Sequence, residues 1–246
     1  MKIALRGGHS ALSPGAVYTL NEYKEMQYLY YLLKRKFEIP NIEIPNIEII
    51  NCNSTEQYPF ELNNGINKAN ESGADLFISL HMNASDSHQG HGTECWIYSE
   101  NSSAKKLAEK ICLNISEIGH NNRGVKCSTS FAELRKTKCP AVIVETCFCD
   151  NPKDTDIFDV EKLADAIFNA IVDVCHLKIP DTAIITTNYL PESARVLPSV
   201  VSCFHEQYKV SVKTNNKGYW LESEPMAIKD AEETAIALGD YLYSIN

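Results

Sequence analysis

The sequence predicts an α/β protein: a mixed, parallel-rich central sheet with helices on both faces, followed by a small α+β C-terminal domain. Three observations carry that expectation. Short apolar runs of strand length alternate with longer segments of helical period through the first two thirds of the chain. The stretch Lys178-Ile179-Pro180-Asp181-Thr182 then reads as a linker. Finally, 246 residues exceed one ordinary domain and fall short of two, at ~150 residues each. The expected division is a large domain at 1–178 and a small one at 183–246.

Each element has its own signal. Ile3 to Leu5 is an apolar run that stops at Gly7-Gly8, a buried strand ending in a loop. From Asn21 the period changes: Met26, Leu29, Tyr30, Leu33 and Phe37 recur at helical spacing. Asn21 stands as N-cap, Glu22 and Glu25 occupy the first turn, and Pro40 lies beyond the end. The five residues Glu38-Ile39-Pro40-Asn41-Ile42 recur as Glu43-Ile44-Pro45-Asn46-Ile47. Two copies of so short a unit do not make a repeat architecture and read as an insertion lengthening a surface loop. Ile47 to Ile50 is a strand, Glu61 to Ser72 a helix closed by Gly73, and Asp75 to His81 a strand ending in a histidine. Gly92 to Tyr98 is another strand. Asn101 or Ser102 caps a helix through Leu107, Ile111 and Ile115 that ends at Gly119. Pro140 to Glu145 is a buried strand ending in a carboxylate. Asp159 to Cys175 is an amphipathic helix with Leu163, Ile167, Ala170, Ile171 and Val174 on one side. Beyond the linker come strand-like runs at Ala183 to Thr187, Tyr208 to Thr214 and Gly218 to Leu221, and a helix from about Ala227 to Tyr243.

Composition excludes several classes. With 23 basic and 32 acidic residues the formal net charge is −9, which argues against a nucleic-acid binder, since such proteins carry a basic stripe to neutralise phosphates. No window approaches the ~18 apolar residues of a membrane span, so membrane insertion is not expected. Met1 to His9 lacks the apolar core and cleavage site of a secretory signal. The nine cysteines are odd in number, scattered and never spaced C-x-x-C. They read as reduced thiols of a chain kept in a cytoplasm.

The candidate chemistry lies at strand ends and adjacent loops, where α/β proteins keep it. His9 follows the first strand, His81 ends another, Glu145 ends a third, and Glu22 sits in the first turn of the first long helix. Singly, each has an ordinary reading. A histidine at a strand end is commonly a hydrogen-bonded surface residue, and a first-turn glutamate complements the helix dipole. Glu145 resists that reading, because a carboxylate directly after Ala141-Val142-Ile143-Val144 is half buried, and an unpaired buried charge is costly. Two imidazoles and one carboxylate form a three-ligand zinc set with a position open for water. The other carboxylate then serves as general base. Spacing alone does not assemble the four, since no H-E-x-x-H links them.

Their sequence surroundings do. Gly8-His9-Ser10, Asn21-Glu22, Ser79-Leu80-His81-Met82-Asn83-Ala84 and Pro140-Ala141-Val142-Ile143-Val144-Glu145-Thr146 occur in that order over about residues 1 to 175. The set resembles the zinc-dependent N-acetylmuramoyl-L-alanine amidases of the type 3 family, which are peptidoglycan hydrolases. Supporting pieces are Ala69-Asn70, Gly73-Ala74-Asp75, Asn122-Arg123-Gly124, and Asn151 with Asp154. The resemblance implies His9, Glu22 and His81 as Zn2+ ligands and Glu145 as catalytic acid/base. It also implies cleavage of the amide between N-acetylmuramic acid and L-alanine in bacterial peptidoglycan. Many members have an acid before the first histidine and Gly-Gly after it; here Arg6 precedes it and Ser10-Ala11 follows. The form G-H-S with a short loop is most like clostridial phage endolysins. Such an enzyme accumulates in the host cytoplasm and reaches the wall without a signal peptide; a bacterial autolysin that frees spores by mother-cell lysis fits the same sequence.

The remaining histidines have plainer expectations. His88 and His91 flank Gly90 in a loop and either line the substrate groove or, more simply, stand at the surface, and His120, His176 and His205 are expected to be solvated or at helix ends. Arg123 either holds substrate or pairs with a surface acid. The C-terminal domain matches no motif. Its position implies wall recognition, with homo-oligomerisation the other expectation. Tyr189, Phe204, Tyr208, Tyr219 and Trp220 supply either sugar-stacking surfaces or, more simply, its core.

Overall fold

The computed structural model of the chain describes residues 1–37, 47–178, 182–190 and 196–245. The duplicated segment at 38–46 and the centre of the expected linker, 179–181, lie outside the described residues. Those described fall into two compact units, residues 1–37 with 47–177, and residues from 178 onward.

The first unit runs β1 (Lys2–Gly7), α1 (Glu22–Phe37), β2 (Glu48–Asn51), α2 (Phe60–Ser72), β3 (Leu76–Asn83), β4 (Thr93–Ile97), α3 (Lys105–Glu117), β5 (Asn122–Cys127), α4 (Ala132–Lys136), β6 (Ala141–Phe148), α5 (Pro152–Thr155) and α6 (Val160–Cys175). Its six strands form one sheet in the order β2-β1-β3-β6-β4-β5. Strands β2, β1, β3 and β6 are parallel neighbours, whereas β4 runs antiparallel to β6 and carries β5 parallel to itself. Helices α1, α3 and α6 cover one face, and α2 and α4 the other. The sheet is therefore the mixed, parallel-rich one expected, with helices on both sides. Parallel strands covered twice are largely apolar, which explains the runs at Ile3–Leu5, Leu76–Ile78 and Ala141–Val144.

Local chemistry sets the element ends. Helix α1 buries Met26, Leu29, Tyr30, Leu33 and Phe37, and the Asn21 side chain caps it by accepting from Lys24 N at 3.1 Å. Asp159 caps α6, accepting from Glu161 N and Lys162 N, and the helix stops at His176 in the left-handed conformation. Neither Asn101 nor Ser102 caps α3, which begins at Lys105 without a side-chain cap. Ser102 Oγ instead accepts from Ala104 N, 3.3 Å away, in the turn that leads in. On the α2/α4 face, Ala69 of α2 and Leu134 of α4 close over Ala4, Phe77, Ala141 and Ile143. All nine cysteines are free thiols. Among the described residues no helix is long and apolar enough to cross a membrane.

The second unit comprises β7 (Thr182–Ala183), β8 (Ile185–Thr187), α7 (Val196–Val201), β9 (Val210–Asn215), β10 (Gly218–Ser223), β11 (Met226–Ala227), α8 (Ile228–Leu238) and β12 (Leu242–Ile245). Four of its strands form an antiparallel sheet ordered β12-β8-β10-β9, and β7 pairs with β11. The sequence β8-α7-β9-β10-α8-β12 is a split βαβ arrangement. Its core is aliphatic, with Ile185, Leu190, Val200, Leu221, Met226, Leu238 and Ile245 joined by Phe204. The helix expected to reach Tyr243 ends at Leu238: Gly239 takes φ 51, a 3-10 turn follows, and the chain returns to the sheet as β12. An edge strand thus replaces the last turn of the expected helix.

Candidate active site

Three carboxyl-terminal strand ends bring the four sequence-selected residues together. His9 stands two residues past β1 with φ 69, in the left-handed region that non-glycine residues adopt uncommonly. Glu22 opens α1. Neither His81 nor Glu145 terminates its strand, as β3 continues to Asn83 and β6 to Phe148. The two are direct partners across the β3–β6 pair, so their side chains share one face of the sheet. A register irregularity follows immediately, between His81 and Asn83.

Glu22 is the hub. Its Oε1 lies 3.1 Å from His9 Nε2 and 2.9 Å from His81 Nδ1. The backbone supports it twice: Met82 N donates to Oε1 at 3.1 Å and Ala16 N to Oε2 at 2.9 Å. The His9 and His81 rings meet edge-on with centroids 5.0 Å apart. Burial alone would raise the Glu22 pKa, but hydrogen bonds and charge from His81 and His9 outweigh it and hold the carboxyl well below its usual range. Burial likewise works to lower His81, and the Glu22 hydrogen bond with the charges of Glu133, Glu22 and Glu145 raises it to about 9.

A metal ion fits these residues. One donor atom from each of His9, Glu22 and His81 lies within 4.8 Å of the others, and two imidazoles with a carboxylate are zinc's usual donor types. Two glycines leave the space open. A Cβ at Gly8 would run into the His81 ring, and one at Gly15, which has φ +70, would strike the Glu22 carboxylate and the His9 ring.

Glu145 is placed beside the triad without belonging to it. Its Oε2 is buried and accepts no hydrogen bond. Burial pushes its carboxyl up to about 7, with the charges of Glu22, Glu94 and Glu133 adding to the shift and that of His81 opposing it. A carboxyl that titrates near neutrality can both take and return a proton.

Behind His81 lies a buried ionic network that the sequence reading did not single out. His81 Nε2 is 3.0 Å from Ser79 Oγ and 3.7 Å from Glu133 Oε2, while Ser79 Oγ donates to Glu133 Oε1 at 2.8 Å. Arg6, only 1% exposed, pairs with Glu61 and reaches Glu133 Oε1 at 3.3 Å. Outer-shell partners of this kind fix which ring nitrogen faces a metal. On the other side of Glu145, Glu94 is its direct partner across the β4–β6 pair. Glu94 accepts from Asn83 Nδ2 (3.1 Å), Trp96 Nε1 (3.2 Å), Arg123 Nε (2.6 Å) and Lys126 Nζ (2.5 Å). A charged residue inside an apolar run is the signal for two of them, as Arg6 follows Leu5 and Glu94 precedes Cys95-Trp96-Ile97, whereas Glu61 and Glu133 stand in first turns of helices and carry no such signal.

Several secondary expectations change. His120 is buried rather than solvated, its Nδ1 3.3 Å from Asp154 Oδ1. Asp154 Oδ2 accepts from Gly92 N and Phe148 N, both at 2.7 Å, tying β4 and β6 to α5. Arg123 pairs with the buried Glu94, not a surface acid, and lies 4.9 Å over the Phe148 ring. His88 Nδ1 meets Asp150 Oδ2 at 2.7 Å. His176 ends α6 and His205 is a partly exposed partner of Glu233, as expected of both.

The sequence pattern of the N-acetylmuramoyl-L-alanine amidases matches residues 3–174, which includes all four of these residues. The chain belongs to that family. An uncharacterized protein of Clostridium perfringens is 36% identical over 182 residues, covering 72% of this chain and 52% of the relative. The endolysin of Bacillus phage SPP1 is 33% identical over 131 residues, covering 48% of this chain and 47% of the relative. Each alignment thus spans about half the length of the relative. Among solved structures, the catalytic domain of the CD27L endolysin, described as targeting Clostridia difficile, superposes with a TM-score of 0.60 at 29% identity. That match covers 73% of this chain and 99% of the domain. The family therefore occupies the first unit and ends before the second.

Proposed function

We propose that the chain is a peptidoglycan hydrolase that cleaves the amide between N-acetylmuramic acid and L-alanine, with zinc held by His9, Glu22 and His81 and with Glu145 as general acid/base. The observation that carries this reading is the unpaired, buried Glu145 Oε2 on the strand next to His81, in register with it, beside the convergent donors of His9 and Glu22. When bound, zinc supplies a Lewis acid for the lactyl carbonyl and lowers the pKa of a water toward ~7. Glu145 accepts the proton of the attacking water and delivers it to the departing nitrogen of L-alanine, otherwise a very poor leaving group. Its place on an inner strand keeps that carboxyl fixed relative to the histidines. Glu133 and Ser79 hold the His81 ring from behind, leaving Nδ1 toward Glu22. The endolysins among its relatives support the finer reading of a phage enzyme that lyses its host. Residues 183–246 are proposed to hold the enzyme on the wall.

Mass spectrometry of products from purified peptidoglycan tests the chemistry. The wild type, zinc-loaded, is expected to release stem peptides with a free N-terminal L-alanine and leave the glycan intact, while Glu145→Gln releases none. Cuts within the peptide, or equal release by both proteins, would refute the assignment of the bond or of Glu145.

A further inference from the structure

The second unit carries a pocket of about 270 Å³ walled by Thr186, Thr187, Asn188, Tyr189, Trp220 and Tyr243. Strand alternation explains how it arises. Ile185 and Thr187 of β8 and Leu221 of β10 are buried, and the first and last of these lie in the core with α8. Thr186 and Trp220 point the other way, to the sheet face opposite that core. Tyr189 stands edge-on to Trp220 with ring centroids 5.7 Å apart. Tyr189 and Tyr243 are 51% and 67% exposed, large aromatic surfaces that the fold itself leaves uncovered.

The polar groups of the pocket are fixed and uncharged. Asn188 donates both side-chain contacts inward, to Asp240 O at 3.0 Å and Leu242 O at 3.1 Å, so its Oδ1 is the atom it can offer to a ligand. Tyr189 Oη accepts from Asn215 Nδ2 at 2.8 Å, which pins the ring and leaves its O–H to donate. Thr187 Oγ1 is spent inside the fold, accepting from Leu221 N and donating to Asn188 O. Among the described residues, no charged side chain lines the pocket. The nearby Lys213 and Glu222 on the same sheet neutralise each other at 3.3 Å.

Aromatic walls with fixed neutral hydrogen-bonding groups suit a ligand that has an apolar face and a polar rim, which is the surface of a pyranose. The volume lies just below the ~300–1,000 Å³ of pockets that enclose drug-sized ligands, and so takes one sugar ring at a time. We propose that this pocket is a saccharide subsite for the uncharged N-acetylglucosamine units of the glycan strand. The inference rests on the reading of the second unit as the wall-holding part. Charge selects the unit: removal of the stem peptide leaves each muramic acid with a lactyl carboxylate, and the described lining of the pocket offers no cation to pair with it. The acetamido N–H of N-acetylglucosamine has an acceptor in Asn188 Oδ1, and its ring can lie on Tyr243 or Trp220.

The test uses the full chain in two titrations, one with a soluble β-1,4 oligomer of N-acetylglucosamine and one with glycan strands freed of stem peptides. Wild type is compared with Tyr243→Ala and Trp220→Phe, with far-UV circular dichroism confirming the fold and product release from intact peptidoglycan confirming the first unit. Loss of the Tyr243 ring and loss of the larger indole face at position 220 are each expected to weaken both ligands by about 2- to 13-fold, the range for aromatic pairs. Undiminished binding of either ligand by both variants would overturn the subsite while leaving the wall-holding reading intact. Failure of the folded wild type to bind stem-free glycan would overturn both.

Discussion

Arg6→Met is the substitution whose consequence follows most directly from the geometry. Arg6 is 1% exposed and sits between two buried carboxylates, Glu61 and Glu133. Methionine fills a similar volume without charge, so the packing loss is small and the change isolates electrostatics. Removing one member of a buried ion pair leaves its partner's charge uncompensated, at about 3–5 kcal/mol. Because a domain is stable by only ~5–15 kcal/mol, the variant forfeits a large share. For a unit of this size the midpoint should fall by about 6–20 °C, at ~2–4 °C per kcal/mol. Thermal melts of the reduced protein measure that shift, and urea denaturation measures the free-energy loss, its midpoint concentration dropping while the slope stays the same. Arg6→Met combined with Glu61→Gln and Glu133→Gln removes the charges altogether and is expected to recover most of the loss. A loss under ~1 kcal/mol for Arg6→Met, or a triple variant no more stable than the single one, would refute the view that Arg6 is the cation on which this buried network depends.

Three further outcomes follow from the site and its surroundings. Glu145→Gln should bind zinc with wild-type stoichiometry by metal analysis yet lose about 10²–10⁴-fold in turnover; loss of the metal would make Glu145 a ligand instead. Gly15→Ala places a methyl group against Glu22 and His9 and should weaken zinc about 10–100-fold in competition with a chromogenic chelator, whereas unchanged affinity would mean that the donors do not converge there. Burial works to raise the Asp154 pKa, but hydrogen bonds from His120, Phe148 N and Gly92 N outweigh it and hold the carboxyl below its ordinary 3.8. Its contribution to stability is therefore present above that ordinary value and is lost as the pH falls through the lower folded one. Urea midpoints of Asp154→Asn should accordingly fall less steeply than those of wild type below about pH 4, and parallel curves would contradict the sign.

The strands and helices legible in the sequence are those whose burial is one-sided or complete. Helix α1 shows its apolar stripe and Asn21 cap openly, and β3 and β6 open on the apolar runs Leu76 to Ile78 and Ala141 to Val144 because helices cover both their faces. Strand β5 gave no such signal. It is an edge strand of Asn122, Arg123, Gly124 and Lys126, paired with β4 on one side only and packed against α3, and its side chains are mostly half-exposed or exposed. Residues 242–245 were hidden for another reason: the apolar period of α8 runs on through Leu242, and only Gly239 marks the break. His9, Glu22, His81 and Glu145 were legible because three of them interrupt or follow apolar strands. The same signal was present at Arg6 and Glu94, which stand inside strands as His81 and Glu145 do but outside the motifs that picked those two out. Glu61 and Glu133 look like ordinary first-turn helix acids until the fold brings Arg6 beneath them.

Glu145 and Glu94 show why position in the sheet alone does not assign a role. They are direct partners on adjacent strands, near-identical in backbone setting. Burial acts to raise both carboxyls. At Glu94 the two cations Arg123 and Lys126 overcome it and hold the group below its ordinary value, with Asn83 and Trp96 donating to the other oxygen. At Glu145 no cation other than the His81 ring opposes burial, and the three neighbouring carboxylates reinforce it. A pair of acids whose surroundings drive them apart is how a site obtains one fixed anion and one proton carrier from the same residue type. Glu94, saturated with donors, anchors Arg123 and Lys126 and has no free lone pair with which to do chemistry. Glu145, one strand nearer to His81 and with Oε2 unclaimed, is the member left able to move a proton.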